Sequence, residues 1–446
     1  MGHGKPLAKI LKTSIPAVID LSSQTVFFTI EAILIGRISS AAFAGQGLAI
    51  QIIIAFLTVL ITFIVGSSLI IARHIGADQR HEANHVFSQS VMISVVISIV
   101  FAFVWYFGGI YIFKFIEEGG SLEAQQAGIS YLRIIALFAP IIITNLVAVG
   151  CIRGAGDTHL SMVVNVSINC LNLVLAPLMI FGWFGFPRWE VEGAAFALGI
   201  SHSVGFLMTL YIIRTRKSVL FLSFKEMSRP NFKTFKKLIK TGIPATVEQL
   251  LWAIGLLIVS VYAAMLGKDY LAAHMAFNKI QNVLSMAYLG LSMGAMTLMG
   301  QNLGAEKSEL AERTARTTSW VGFVFSILIA VFLIGFTKQV LSIFVPESEV
   351  LRIGTNAMIV FALLQIPKAV DGVVIGNLRG AGDLKWLMLI TFIGVITLEI
   401  GFNWVVAFVF QWGVVGLWSV HLIDEILRLM LNYWRFRGGR WKTMKV

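Results

Sequence analysis

The sequence predicts an all-α integral membrane protein: twelve transmembrane helices, forming two six-helix bundles related by a parallel pseudo-two-fold repeat. Three observations carry that prediction. Of 446 residues, 57% are hydrophobic and 13% charged, against about 25% charged in ordinary globular domains, and mean hydropathy is +0.83. Twelve apolar runs, each about 20 residues or longer, follow one another. Several segments recur at an offset of about half the chain. So apolar a chain cannot coat a water-facing surface. That excludes a soluble enzyme, a disordered scaffold and a nucleic-acid binder, despite a net charge of +12.

The runs are 14–36, 47–71, 87–112, 134–152, 159–183, 193–213, 242–266, 279–300, 317–337, 354–376, 386–411 and 414–434. In lipid every backbone N–H and C=O must be paired within the segment, so each run is a helix. The first run is longer than a signal-peptide core and carries two acids, Asp20 and Glu31, so it reads as a retained span rather than a cleaved leader. An even number of spans puts both termini on one side. On that side the connecting segments hold 25 Lys and Arg against 8 Asp and Glu; the opposite loops hold 7 and 8, the spans 3 and 7. The positive-inside rule therefore assigns both termini to the cytoplasm, and the expected location is the cytoplasmic (inner) membrane. The positive charge is topology and contact with anionic lipid. Cys151 and Cys170, both in apolar runs, are expected to pack, and no disulfide scaffold or cofactor is expected.

The halves repeat in order. IPAVID (15–20) returns as IPATVE (243–248) and IGADQRHEA (75–83) as LGAEKSELA (303–311), both shifted by 228. RGAGDT (153–158) returns as RGAGDL (379–384), shifted by 226. Six spans per half give both halves the same orientation, an arrangement that places a transport site near mid-bilayer. The expected division is an N-terminal bundle over 1–213, a basic linker over 214–241 and a C-terminal bundle with a basic tail over 242–446. Within the linker, Phe232, Phe235, Leu238 and Ile239 share a helical face, with Lys233, Lys236, Lys237 and Lys240 largely opposite, which predicts a helix lying on the cytoplasmic leaflet.

These features resemble the MATE family of multidrug and toxic compound extrusion transporters. The shared marks are the RGAGDT and RGAGDL turns after spans 4 and 10, the turn Gly300–Ala305 after span 8, an acid and a glycine closing span 1 (Glu31, Gly36), and the basic, tryptophan-containing tail RFRGGRWK. The resemblance covers essentially the whole chain. It implies a V-shaped exporter of amphipathic, often cationic compounds in exchange for H⁺ or Na⁺ by alternating access, working without an enzymatic step and as a monomer.

The acids inside the spans are the candidate coupling groups. A charge at mid-bilayer costs roughly 2.5–3.5 kcal/mol on insertion scales. Seven acids among three bases must therefore be protonated, paired or hydrated. Span 1 aligns Asp20, Gln24, Phe27 and Glu31 on one stripe; the resemblance puts Glu31 where relatives carry a coupling Asp. Span 5 aligns Asn165, Asn169 and Asn172, but lacks the acid that one branch of the family places four residues after an Asn. In the second half Glu248, Asp371 and Glu399 lie on spans 7, 10 and 11. Asp371 sits eight residues before Arg379, as a coupling Asp does in another branch, and Glu248 and Asp371 are the pair expected to hold a transient Na⁺ if sodium is the ion. Lys368, three residues before Asp371, would balance its charge and favour H⁺. Asp424 and Arg428 read as a structural pair. Gln24, Phe27, Met286 and Met293 are candidate cavity residues; Pro16, Pro140, Pro244 and Pro367, in spans 1, 4, 7 and 10, are candidate hinges.

Two other classes have some sequence basis. His81-Glu82-Ala83-Asn84-His85 has the H-E-x-x-H spacing of a zinc protease, but it lies in a polar loop, its repeat counterpart (309–313) has no histidine, and no resident metal is expected. A flippase for lipid-linked precursors shares a related fold. Such relatives tend to carry a basic cavity, whereas the spans here are net acidic, which favours cationic cargo.

Overall fold

A computed structural model of the chain describes residues 6–116, 122–344 and 348–444, which are almost entirely helical. The twelve long helices are α1 (Pro6–Gly36), α2 (Ser40–Gly76), α3 (from Arg80–Phe103, continuing through Gly109–Ile116), α4 (Leu122–Gly154), α5 (Thr158–Phe181), α6 (Glu190–Arg214), α7 (Phe232–Leu266), α8 (Lys268–Gly304), α9 (Ser308–Gly335), α10 (Ser348–Gly380), α11 (Leu384–Gly394, continuing to Val409) and α12 (Gly413–Arg437). They take up the twelve apolar runs in order. Eleven are long and apolar enough to cross a membrane on composition alone. The exception, α12, carries Asp424, Glu425 and Arg428, all buried. Its 25 residues still reach about 37 Å at 1.5 Å per residue.

The helices group into two compact units. One holds Ile19–Gly242; the other holds the chain up to Val18 and everything from Ile243. The start of α1 joins the second unit because Gly290 and Gly294 of α8 leave no room for side chains of their own against Val18 and Ser14. Each unit has the same internal plan. In the first, α4 is the central helix and packs against α2, α6 and α3; in the second, its repeat counterpart α10 packs against α8, α12 and α9. Small residues allow this, as is usual where helices associate in lipid. A Cβ on Gly154 would stand 2.6 Å from Ser68 Cα, and Gly376 and Gly380 meet Ser292 and Met296 of α8 just as closely.

The repeat extends to the turns. Gly156 and Gly382, which follow α4 and α10, have φ of +99° and +89°, a region open mainly to glycine. The basic join between the halves is tied to the start of α3: Gln89 donates to the carbonyls of Glu226 (2.6 Å) and Arg229 (3.0 Å), and Asn84 accepts from Phe221 N–H at 2.7 Å. The stretch expected as a separate leaflet helix is instead the first turns of α7, which runs unbroken from Phe232. Leu238 is fully buried against Gly66 and Phe235 stacks on Phe63, so two of its apolar residues face protein.

Candidate functional site

The densest set of ionisable side chains lies inside the second unit, between α10, α11 and α12. From α10, the Lys368 ammonium donates to Glu425 Oε1 at 2.6 Å and to His421 Nε2 at 3.1 Å, both on α12. An ammonium has no acceptor, so Nε2 must carry the lone pair. His421 Nδ1 then bears the proton and donates it in a short hydrogen bond to Glu399 of α11. Glu399 sits in a π-type turn, Val395–Phe402, a widened helix form frequent at functional sites. Arg428 donates to Asp424 (2.6 Å) and Thr391 (3.0 Å). Its guanidinium lies 4.3 Å from the Trp252 ring centroid, and Lys368 lies 5.2 Å from the same ring.

Asp371 belongs to this cluster but has no basic partner within salt-bridge distance among the described residues. Oδ1 accepts from Asn432 at 2.9 Å, and Asn432 is held in turn by Trp386 at 3.0 Å. Oδ2 is buried and has no hydrogen-bond partner among the described residues. With ordinary charges, Asp371, Glu399, Asp424 and Glu425 face only two permanent cations, Lys368 and Arg428. A buried site with two negative charges in excess is costly unless it takes up positive charge. The Oδ2 atom of Asp371 is a vacant place for it. Glu399, His421 and Asp424 each offer a ligand atom within 4.8 Å of the others, but Lys368 and Arg428 already occupy that neighbourhood, so a metal cation there would be repelled.

Glu248 stands apart. Both its oxygens accept from Arg379 Nη2, at 3.0 and 2.9 Å, and no ion pair or hydrogen bond joins it to Asp371 or Glu399 among the described residues. The first unit repeats the pair: Arg153 donates to Asp20 Oδ2 at 2.7 Å, and Asn165 to Oδ1 at 2.8 Å. Asp20 is fully buried rather than hydrated. The arginine of each R-G-A-G-D turn thus neutralises the acid four residues after the proline of the repeated I-P-A segment, Pro16 or Pro244, in its own half. The sequence carried the signal, because acid and arginine recur together, one half-chain apart.

Lys368 pairs across to α12 instead of along its helix to Asp371. Residues three apart are neighbours on a helix surface, yet Glu425 and His421 across the helix pair offer a carboxylate and an acceptor within 2.6 and 3.1 Å. His421 and Glu425 complete the cluster, although the spacing of acids alone did not single them out. Asp424 and Arg428 form the expected pair.

In the first unit Glu31 is buried, accepting from Gln46 (3.1 Å) and Tyr131 (3.4 Å), with Oε2 unpartnered among the described residues. Asn169 donates to Ser23 at 2.9 Å. Asn172 is fully buried with neither amide atom partnered among the described residues. Phe27 is buried and Gln24 half-buried. In α8, Met296 and Met299 are core, while Met286 and Met293 are half-buried. Pro16, Pro140, Pro244 and Pro367 all lie inside continuous helices. In the H-E-x-x-H segment, His85 commits both ring nitrogens, to Glu226 Oε2 (2.6 Å) and Thr234 Oγ1 (3.0 Å), which leaves it no lone pair for zinc. The contact with His85 holds the Glu226 carboxyl below its usual range.

Twelve spans in two internally alike units, each with acids buried at membrane depth, define a polytopic membrane transporter built by duplication. The chain belongs to the MatE family: the family model matches twice, over residues 16–178 and 244–405, with starts 228 residues apart like the internal repeats. It is similar to a protein of Thermotoga maritima named as a probable multidrug resistance protein NorM, 27% identical over 438 residues, spanning 98% of this chain and 94% of that one. A Bacillus anthracis protein with the same name is 26% identical, spanning 86% and 84%. Among solved structures, a MATE protein in its straight conformation superposes with a TM-score of 0.90, at 22% identity, over 99% of this chain and 98% of the other.

Proposed function

We propose that this protein exports amphipathic organic cations across the cytoplasmic membrane in exchange for protons, with Asp371 as the principal proton carrier. The observation behind this reading is the cluster itself: four carboxyls, two fixed cations and a buried Asp371 oxygen without a partner. A proton needs only that oxygen. A sodium ion needs several oxygen ligands and would meet Lys368 and Arg428. His421 adds a second place for a proton. Protonation at Nε2 would turn an acceptor into a donor facing Lys368 and break a tie between α10 and α12. Loading the cluster would then change which helix packing is most favourable, and an ion shifts such a balance only by its difference in affinity for the two states.

The relatives named as multidrug resistance proteins support drug-like cargo, and the net acidity of the spans supports cationic cargo. Exchange of one proton for one monovalent cation moves no net charge, so the pH gradient drives it: each tenfold proton ratio supplies about 1.4 kcal/mol, enough for a roughly tenfold cargo ratio. On this reading the protein is monomeric, both termini are cytoplasmic, Glu31 is a secondary coupling group, and the Glu248–Arg379 and Asp20–Arg153 pairs are structural. The paired prolines give α1, α4, α7 and α10 their hinges.

The test is efflux of a fluorescent organic cation from proteoliposomes under an imposed pH gradient or an imposed sodium gradient. The pH gradient alone should drive export, and Asp371→Asn should abolish it. Export driven by sodium at constant pH, or normal export with normal pH dependence in Asp371→Asn, would overturn the assignment.

A further inference from the structure

We infer that a cavity between α9, α10 and α12, away from the carboxyl cluster, binds one anionic glycerophospholipid. Its volume is about 720 Å³, within the range of roughly 300–1,000 Å³ for small-molecule sites. The walls are aromatic: Trp320 and Phe323 from α9, Tyr433 and Phe436 from α12. Trp320 and Tyr433 are 65% and 55% exposed, so the cavity opens sideways along surfaces that suit an acyl chain.

The other lining groups are basic. Arg316, Arg437 and Lys442 contribute three positive charges and Glu312 one negative charge. Glu312 accepts from Arg316 at 2.8 Å and from Lys442 at 2.7 Å, holding the two cations toward each other. Arg437 has no ion pair or hydrogen bond among the described residues. The Lys442 position is built. The neighbouring Trp441 is 1% exposed, stacks on Phe436 with ring centroids 4.8 Å apart, and donates its Nε1–H to the Phe436 carbonyl at 2.6 Å. The tail therefore holds a cation at the rim of the cavity. Asn377, 1% exposed, also lines the cavity, and its Oδ1 lacks a donor among the described residues, a place for a headgroup hydroxyl.

A net charge of +2 rejects the organic cations proposed as cargo. Four aromatic side chains distinguish the site from one for a free inorganic anion. The basic residues come from the first turns of α9, the end of α12 and the tail, the side that the charge distribution assigns to the cytoplasm, where anionic lipids collect and basic pockets between helices hold their headgroups.

The full-length protein in nanodiscs of phosphatidylcholine, titrated with phosphatidylglycerol, should retain one phosphatidylglycerol by native mass spectrometry. The Arg437→Gln/Lys442→Gln double variant should weaken retention about thirtyfold, the equivalent of about 1 kcal/mol per lost cation. Arg352→Gln, an exposed arginine that does not line the cavity, should leave it unchanged. Equal retention of the two lipids by the native protein overturns the inference whether or not the double variant folds, as does equal retention by a folded double variant. Displacement of the lipid by inorganic phosphate or glycerophosphoglycerol at comparable concentration overturns it in favour of a soluble anion.

Discussion

Breaking either buried arginine pair should cost far more stability than neutralising Asp371. In Glu248→Gln, the guanidinium of Arg379 keeps its burial and loses the only carboxylate within salt-bridge distance among the described residues, and in Arg379→Gln a 3% exposed Glu248 is stranded. Removing one member of a buried pair costs about 3–5 kcal/mol. The double variant Glu248→Gln/Arg379→Gln leaves two neutral amides able to bond each other, so its cost should fall short of the summed single costs by about 2 kcal/mol or more. The same cycle on Asp20 and Arg153 should give the same pattern, since the repeat places an equivalent pair in the other unit. Asp371→Asn should differ in kind. One oxygen already accepts from Asn432 and the other has no partner, so an amide of the same shape removes a charge without orphaning a cation, at a cost under about 1 kcal/mol. The assay is thermal unfolding of the purified protein in one detergent, read by tryptophan fluorescence, with each cycle closed at a common temperature. Strictly additive effects of Glu248 and Arg379, or an Asp371→Asn variant as damaged as Glu248→Gln, would refute the division into structural pairs and a loading site.

Two further predictions concern the frame around the cluster. Gly154→Val should destabilise the first unit by about 1–3 kcal/mol or prevent folding, because even a Cβ would approach Ser68 Cα to 2.6 Å; expression and melting temperature decide it. The stability difference between the native protein and Glu226→Gln should depend on pH in a fixed direction. The folded protein holds this carboxyl below its usual value, so its contribution is full above the unfolded value of about 4.3 and disappears as pH falls through the lower folded value. Melting curves at pH 7 and pH 3.5 should show the difference at the first and a smaller one at the second; a difference that grows on acidification would contradict the His85–Glu226 contact.

The spans, the duplication and the stranding of acids at membrane depth follow from sequence, because lipid satisfies no backbone hydrogen bond and apolar runs of this length can only be helices. The periodic placement of Asp20 and Glu31, of the span-5 asparagines and of Glu248, Asp371 and Glu399 was readable for the same reason. The partner of each charge was not. Arg379 reaches Glu248 across 131 residues, Arg153 reaches Asp20 across 133, and Lys368 passes over Asp371 to Glu425, 57 residues on. Those choices depend on how each helix is rotated and where α4 and α10 sit among their neighbours. Local periodicity sets which residues share a face, but only packing sets what that face meets. Packing also decided that the amphipathic stretch forms the first turns of α7 with Leu238 against Gly66, and that His421 holds its proton toward Glu399 because Lys368 occupies its other nitrogen.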